Sequence, residues 1–266
     1  VPANASSDRI VSEVAQNGFT QLWRAFWTAH LDFGLYYHTV PMAEARTRAA
    51  EVLGHEVPDA ARAAALVGEY SMVRRFQPAL PDQKYDVVVI LEESFGSEFI
   101  GVLGHAERRT SPGFDRWSKE GTLLANLTAT GNRTVRGMEG VLCSFPPLPG
   151  DSVVKRDHSQ NVASVARVMQ QIGARTRFFY GGFGIFDSMK PFILANGYEE
   201  FIEQPDYPKD AFRTIWGVAD EWVLGRMMEE QLACKQKGER YRFTALTVSN
   251  HKPYYIPRGR IQELTA

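Results

Sequence analysis

The rhythm of apolar and polar positions changes near residue 84. Before it the spacing is helical: RIVSEVAQNGFTQLWRAFWTAHL, residues 9–31, sets apolar side chains three and four apart. PMAEARTRAAEVLG, residues 41–54, opens on Pro41 and closes on Gly54, the residues that favour a helix start and a helix stop. Phe19, Trp23, Phe26 and Trp27 cluster in the first of these segments and read as a packing surface, of a kind that docks on a neighbour or a membrane surface in some chains and is expected here to pack inside the chain. RRFQPALPDQK, residues 74–84, carries Pro78 and Pro81 and reads as a connector.

Beyond the connector, short apolar runs alternate with helical patterns. YDVVVIL, residues 85–91, is continuous enough for a strand buried on both faces, as in a parallel sheet. The pattern then predicts a helix at FDRWSKEG (114–121), a strand at TLLANLTA (122–129) and a helix at RTVRGMEGVL (133–142). NVASVARVMQQIG places Val162, Val165, Ala166, Met169 and Ile172 on one helical face and stops at Gly173. RTRFFY (175–180) reads as a strand, VADEWVLGRMMEEQL (218–232) as an amphipathic helix and YRFTALTVSN (241–250) as a strand. Strands alternating with helices predict an α/β sandwich with a mainly parallel sheet flanked by helices. Residues 1–80 form a helical segment ahead of it, and residues 81–266 the α/β domain.

Charge narrows the possible partners. A net charge of −1 over 266 residues gives no overall field for nucleic acid or an acidic membrane, so any anion site must be local. Cys143 and Cys234 make neither a disulfide framework nor a C-x-x-C pair. No run of about 18 apolar residues is present to span a bilayer, and VPANASSDRI has neither the basic nor the apolar region of a signal peptide.

In open α/β sheets, sites form beyond the carboxyl ends of the strands. Four predicted strand ends deliver residues with chemistry: Glu92 and Glu93 in EESFG, Thr134 with Arg133 and Arg136 in TGNRTVRG, Asp187 in GGFGIFDSMK, and His251 in NHKPYY. Glu93 reads two ways, as a capping or ion-paired carboxylate or as a ligand for a hard cation. Thr134, at a helix start, is either an N-cap or a nucleophile activated by a divalent metal beside the helix N-terminus. His251 is a loop histidine or a donor to a substrate phosphate. Asp157-His158 follows Lys155-Arg156 in a polar loop instead of ending a strand, which argues against a ligand pair.

Five motifs, in order, resemble the lipoteichoic acid synthase and phosphoglycerol transferase family. This family is a sulfatase-like branch of the alkaline phosphatase superfamily. The motifs are VVVILEESFGSEFIG, TATGNRTVRGMEGVLCSFPPLPGDSVVKR, FFYGGFGIFDSMKPFILANGYEEFIE, IWGVADEW and TVSNHKPYYIPRGRI. GNRTVRGMEG and SNHKPY are closest to the Gram-negative phosphoglycerol transferase type, and the resemblance runs from about residue 84 to 261. It implies a sulfatase-like catalytic domain outside the cytoplasm, anchored to the cell membrane through segments absent from this chain. By the same resemblance Glu93 and Thr134 hold a metal, normally manganese, Thr134 is the nucleophile and His251 contacts the substrate phosphate. Arg133 and Arg136 are placed to help neutralise that phosphate, a role that the resemblance does not itself supply.

The implied reaction moves phosphoglycerol from a phosphatidylglycerol-type lipid to a glycan or polyglycerol phosphate acceptor, with no part for nucleic acid. Sulfatase or phosphoethanolamine transferase activity on the same fold, and a non-catalytic binding module, are the alternatives. Three departures from the family pattern stand out. Asp187 and Met189 occupy the places of a Trp and an Arg that hold the head group in lipoteichoic acid synthases. Cys143 lacks the C-x-P-x-R spacing of a sulfatase cysteine and reads as a core thiol. The Asp-His metal pair that the family carries on a later strand is not present, and the expectation is that the C-terminal part of the fold lies beyond residue 266.

Overall fold

In the computed structural model the residues described are 17–28, 37–52, 85–105, 110–257 and the single positions 7, 11, 15, 34, 107, 259 and 260. The chain divides into two compact units, residues 1–83 and 84–266.

In the first unit, helix α1 spans Gly18–Thr28 and α2 spans Met42–Val52. Asn17 starts α1: its side-chain oxygen accepts from the Phe19 N–H at 2.9 Å, satisfying one of the donors a helix start leaves free. Phe19, Leu22, Trp23, Phe26 and Trp27 fall on one face, as the spacing requires, but that face is exposed. The rings of Trp23, Phe26 and Trp27 pack on one another instead. The expectation that this surface packs inside the chain is not met. The connector at residues 74–84 lies outside the described residues.

The second unit is built on a four-stranded sheet. Its strands are β1 (Val87–Leu91), β2 (Ala174–Tyr180), β3 (Glu200–Ile202) and β6 (Arg240–Leu246), in the order β1-β6-β2-β3. All three pairings are parallel, as the apolar runs imply. A small antiparallel pair, β4 (Arg213–Thr214) with β5 (Gly217–Val218), stands apart. Its helices are α3 (Pro112–Trp117), α4 (Thr134–Cys143), α5 (Val165–Gln171), α6 (Met189–Ala195) and α7 (Asp220–Lys237).

Each sheet face carries its own core. Phe178, Tyr180 and Leu246 meet α4, α5 and α6 through Met138, Leu142, Ala166, Met189, Phe192 and Ile193. Phe179, Phe243 and Ala245 meet α7 through Val223, Met227 and Cys234. The alternation along β2 and β6 distributes consecutive residues to opposite faces, so both strands are buried on both faces toward their carboxyl ends, at Phe178–Tyr180 and Phe243–Leu246, while arginines occupy positions nearer their starts.

Three expectations change. Residues 122–129 form no strand: the chain turns at Leu124–Leu127, whose N–H to carbonyl bond is 3.1 Å, and both leucines are exposed. A strand needs a ladder partner, and none of the described residues pairs with this segment. β1 is an edge strand here, with Val88 and Ile90 exposed, not one buried on both faces. On α5, Ala166 is buried but Ile172 is exposed, because Ser164 caps the helix by accepting from the Arg167 N–H and Ile172 lies past its last turn.

Candidate active site

The carboxyl ends of β1, β6 and β2 converge on one place. Thr247, just after β6, ties the first two together: its hydroxyl accepts from the Glu93 N–H at 2.8 Å, and its own N–H reaches the Leu91 carbonyl at 3.1 Å. From the same loop the Asn250 side chain donates to the Ser94 carbonyl at 2.8 Å. Ser94 takes a left-handed backbone (φ 54°) and its hydroxyl donates to Glu93 Oε1 at 2.9 Å. Glu93 is thereby fixed at backbone and side chain. Its other oxygen, Oε2, accepts from the Thr134 hydroxyl at 2.6 Å.

Thr134 is the first residue of α4. Its neighbour Arg133 occupies the cap position in an extended conformation and makes no side-chain cap, so the first N–H groups of α4 and their partial positive charge face the site. The helix itself is anchored by Glu139, only 1% exposed. The Glu139 carboxylate accepts from Arg136 at 2.7 Å, from the Ser152 hydroxyl at 2.5 Å and from the Val153 N–H at 2.5 Å. Arg136 also donates to the Gly150 carbonyl, so its charge is engaged within α4 and the loop that follows. Arg133 is exposed.

Asp220 opens α7 and clamps the loop after β6: its carboxylate accepts from Val248 N at 2.7 Å and from Ser249 N at 3.1 Å. Burial, only partly offset by those bonds, pushes its pKa up. Glu92, though exposed as a residue, has a crowded carboxyl whose pKa is raised first by desolvation and then by the Asp220 charge. Tyr180, at the end of β2, is pushed up to about 12 by burial and by the charges of Glu93 and Asp187, so it stays a neutral phenol. Asp187 itself, in a left-handed backbone (φ 51°), pairs with Lys155 at 3.0 Å.

His251 stacks against Trp216, with ring centroids 3.7 Å apart. Trp216 Nε1 donates to the Lys252 carbonyl at 2.7 Å, and His251 Nδ1 lies 2.9 Å from the same oxygen. A carbonyl only accepts, so that contact places a proton on Nδ1 and leaves Nε2 for a ligand. Trp216 arrives on the β4–β5 turn, which can sit against the end of β2 because Gly181 and Gly217 have no side chains. A Cβ on either would overlap the other segment's backbone, and Val218 N bonds the Gly181 carbonyl at 2.8 Å.

Glu93, Thr134 and the loop carrying His251 are therefore linked through named bonds. Asp220, Thr247, Asn250 and Trp216 join them unannounced by the sequence reading. The signal for Asp220 and Trp216 was there, in IWGVADEW, as an acid at a helix start and a glycine beside an aromatic. Asp157 and His158 line a separate cavity of about 350 Å³ with Lys155 and Ser188. Glu93 and Thr134 supply two hard oxygen donors of the kind a divalent cation takes. Among the described residues, no group of three or more His, Cys, Asp or Glu is placed to complete such a site.

Comparison with known proteins bears on the fold and the family. A protein of the alkaline phosphatase superfamily from Vibrio parahaemolyticus is 34% identical, with a TM-score of 0.66 over 70% of this chain and 46% of its own. The lipoteichoic acid synthase LtaP from Listeria monocytogenes shares the fold at 16% identity and a TM-score of 0.57, over 65% of this chain and 42% of its own. The chain thus spans less than half the length of either structure. The model of the sulfatase family matches residues 85–260, and the chain belongs to that family.

Proposed function

We propose that this chain carries the nucleophile of a phosphoglycerol transferase acting outside the cytoplasm at a membrane surface. The donor is a phosphatidylglycerol-type lipid, and the acceptor is a glycan or a polyglycerol phosphate. One observation carries the reading: the Thr134 hydroxyl, at the N-terminus of α4, donates to Glu93 Oε2 at 2.6 Å. A threonine in that position, with no sulfatase-type cysteine motif around Cys143, supports phosphoryl transfer over sulfate ester hydrolysis.

The chain's own groups take the following parts. Thr134 Oγ1 attacks phosphorus and passes its proton to Glu93 Oε2. The Oγ1–P bond forms, the P–O bond to diacylglycerol breaks, and the electron pair leaves on the diacylglycerol oxygen, which takes up a proton. The α4 N-terminus and Arg133 face the developing phosphoryl charge, and His251, carrying a second proton on Nε2 as the imidazolium, donates from Nε2 to a non-bridging oxygen. An acceptor hydroxyl then attacks phosphorus and gives up its proton to solvent, the Oγ1–P bond breaks, and Thr134 Oγ1 recovers the proton held by Glu93. A divalent cation such as Mn²⁺, held in part by Glu93 and Thr134, supplies charge that lowers the hydroxyl pKa. Arg136, paired with Glu139, positions the helix that bears the nucleophile.

The test is head-group choice. Vesicles containing phosphatidylglycerol or phosphatidylethanolamine, with Mn²⁺ present, are followed for diacylglycerol release. Release from phosphatidylglycerol is expected, undiminished by added phosphatidylethanolamine. Release from phosphatidylethanolamine alone would replace the donor in this proposal with the ethanolamine lipid.

A further inference from the structure

Three segments at the carboxyl end of the sheet carry large apolar side chains that the core does not use. The loop after β2 exposes Phe183, Ile185 and Phe186, the β4–β5 turn exposes Ile215, and the loop after β6 exposes Tyr254 and Ile256. Single exposed apolar residues are ordinary, but a contiguous group marks a contact surface. These segments are joined. Phe186 meets Trp216 edge-on, with ring centroids 6.4 Å apart, and Trp216 in turn stacks on His251. The Trp216 indole N–H donates to the Lys252 carbonyl, two residues before Tyr254. The apolar segments therefore form a rim along the side of the site that His251 occupies.

The backbone does not force this display. Ile185 is 78% exposed, yet its backbone is in the ordinary right-handed helical region (φ −68°, ψ −25°), which any residue adopts. A polar side chain would fit there at no conformational cost. Nor is the loop slack. The Phe186 N–H bonds the Phe183 carbonyl at 3.0 Å, the Lys190 N–H bonds the Gly184 carbonyl at 2.8 Å, and the Gly184 N–H reaches the Glu203 carboxylate at 2.7 Å. Bonds on both sides of Ile185 keep it turned outward.

Position and charge select what covers the rim. The neighbouring site, on the function proposed above, works on a phosphate that lies at the surface of a bilayer. Apolar side chains beside it are at the level of the acyl chains just below. Arg133 and Lys252 are exposed at the same end of the sheet, and the one carboxylate of the apolar loop, Asp187, is paired with Lys155 at 3.0 Å. Exposed cations beside an apolar edge suit an anionic membrane surface. Tyr254 and Trp216 have the amphipathic rings that settle among head groups. We propose that this rim docks the domain on an anionic phospholipid bilayer, with Phe183, Ile185, Phe186 and Ile215 entering the acyl layer and Thr134 held at the depth of the lipid phosphates. The proposal rests on the lipid donor assigned above, but adsorption itself needs neither a metal nor turnover.

The experiment places a polarity-sensitive dye, NBD, on Ile185→Cys in the whole chain. Ile172→Cys, exposed just before the amino end of β2, carries the same dye as the control. Cys143 is half-buried and Cys234 buried, so both label slowly. Phosphatidylglycerol vesicles should brighten and blue-shift the dye at 185 and leave that at 172 unchanged. Phosphatidylcholine vesicles should need several-fold more lipid for the same response. Phe183→Ser in the chain labelled at 185 should also raise the lipid needed several-fold, as withdrawing one phenylalanine from an apolar layer requires. Thr134→Ala should respond as the parent does. A failed head-group assay with an intact response at 185 would therefore strike the donor and leave the docking surface standing. No response at 185, an equal response at 172, or an equal response to phosphatidylcholine would each overturn the proposal. Vesicle binding with position 185 silent would do so too, and would move the contact elsewhere, for example to the exposed face of α1.

Discussion

Replacing Glu139 with glutamine removes the one buried charge that holds α4 against the loop after it. The wild-type carboxylate is 1% exposed and takes three donors, one of them the Arg136 guanidinium, itself 16% exposed. Glutamine keeps one acceptor oxygen, so at least one donor loses its partner and Arg136 is left as a largely buried unpaired cation. Breaking a buried pair from one side costs about 3–5 kcal/mol, a large share of the roughly 5–15 kcal/mol that stabilises a domain. With a urea m-value of about 1–3 kcal/mol/M, the unfolding midpoint should fall by roughly 1–5 M. The second half of the test is Arg136→Met, alone and with Glu139→Gln. The double mutant should be no worse than the more damaging single mutant, giving a coupling energy of about 1–3 kcal/mol. If Glu139→Gln shifts the midpoint by less than about 0.3 M, or the two effects simply add, the anchor described here is wrong. Arg136 would then be free to act on substrate.

Trp216→Ala should leave the fold intact but remove the wall against which His251 stacks, weakening glycerol 1-phosphate binding several-fold; unchanged binding would leave Trp216 no part in the site. The Cys143 thiol is pushed up to about 11 by burial and by Glu139, so at pH 8 it should react with iodoacetamide far more slowly in the folded chain than in urea, and equal rates would contradict its placement in the core. Burial alone would raise the Glu203 pKa, but hydrogen bonds from Lys190 and the Gly184 N–H, with the Lys190 charge, bring it below the usual carboxylate range. A carboxyl whose folded pKa is depressed stabilises the fold above its unfolded pKa, near 4.3, and loses that contribution as pH falls through the folded value. Lys190→Met should therefore flatten the stability profile below about pH 5, and an unaltered acid limb would show that the pair is not formed.

The sequence made the sheet legible where strands are buried. In β2 the run Phe178–Tyr180, and in β6 Phe243 with Ala245 and Leu246, mark the buried ends of strands whose two faces both carry core. The same reasoning failed at TLLANLTA, where apolar composition does not by itself provide a neighbouring strand. Thr134 could be placed because helix α4 announces its start, and Glu93 because it follows the first strand directly. What stayed hidden depends on contacts between distant segments. Thr247 and Glu93 are 154 positions apart, and Trp216 reaches His251 only because two glycines let the β4–β5 turn close on β2. Arg136 illustrates the opposite limit: its place beside Thr134 suggested a substrate role, while its partner three residues on, Glu139, gave no sign of being buried.

The central claim is that Thr134 becomes covalently bound to phosphoglycerol. Peptide mass spectrometry after acid quench, on protein incubated with phosphatidylglycerol vesicles and Mn²⁺ but no acceptor, tests it most directly. The account predicts the mass of a phosphoglycerol group on the peptide containing Thr134, localised to that residue and absent in Glu93→Gln. Diacylglycerol release with an unmodified Thr134 peptide, or the modification on another residue, would contradict it.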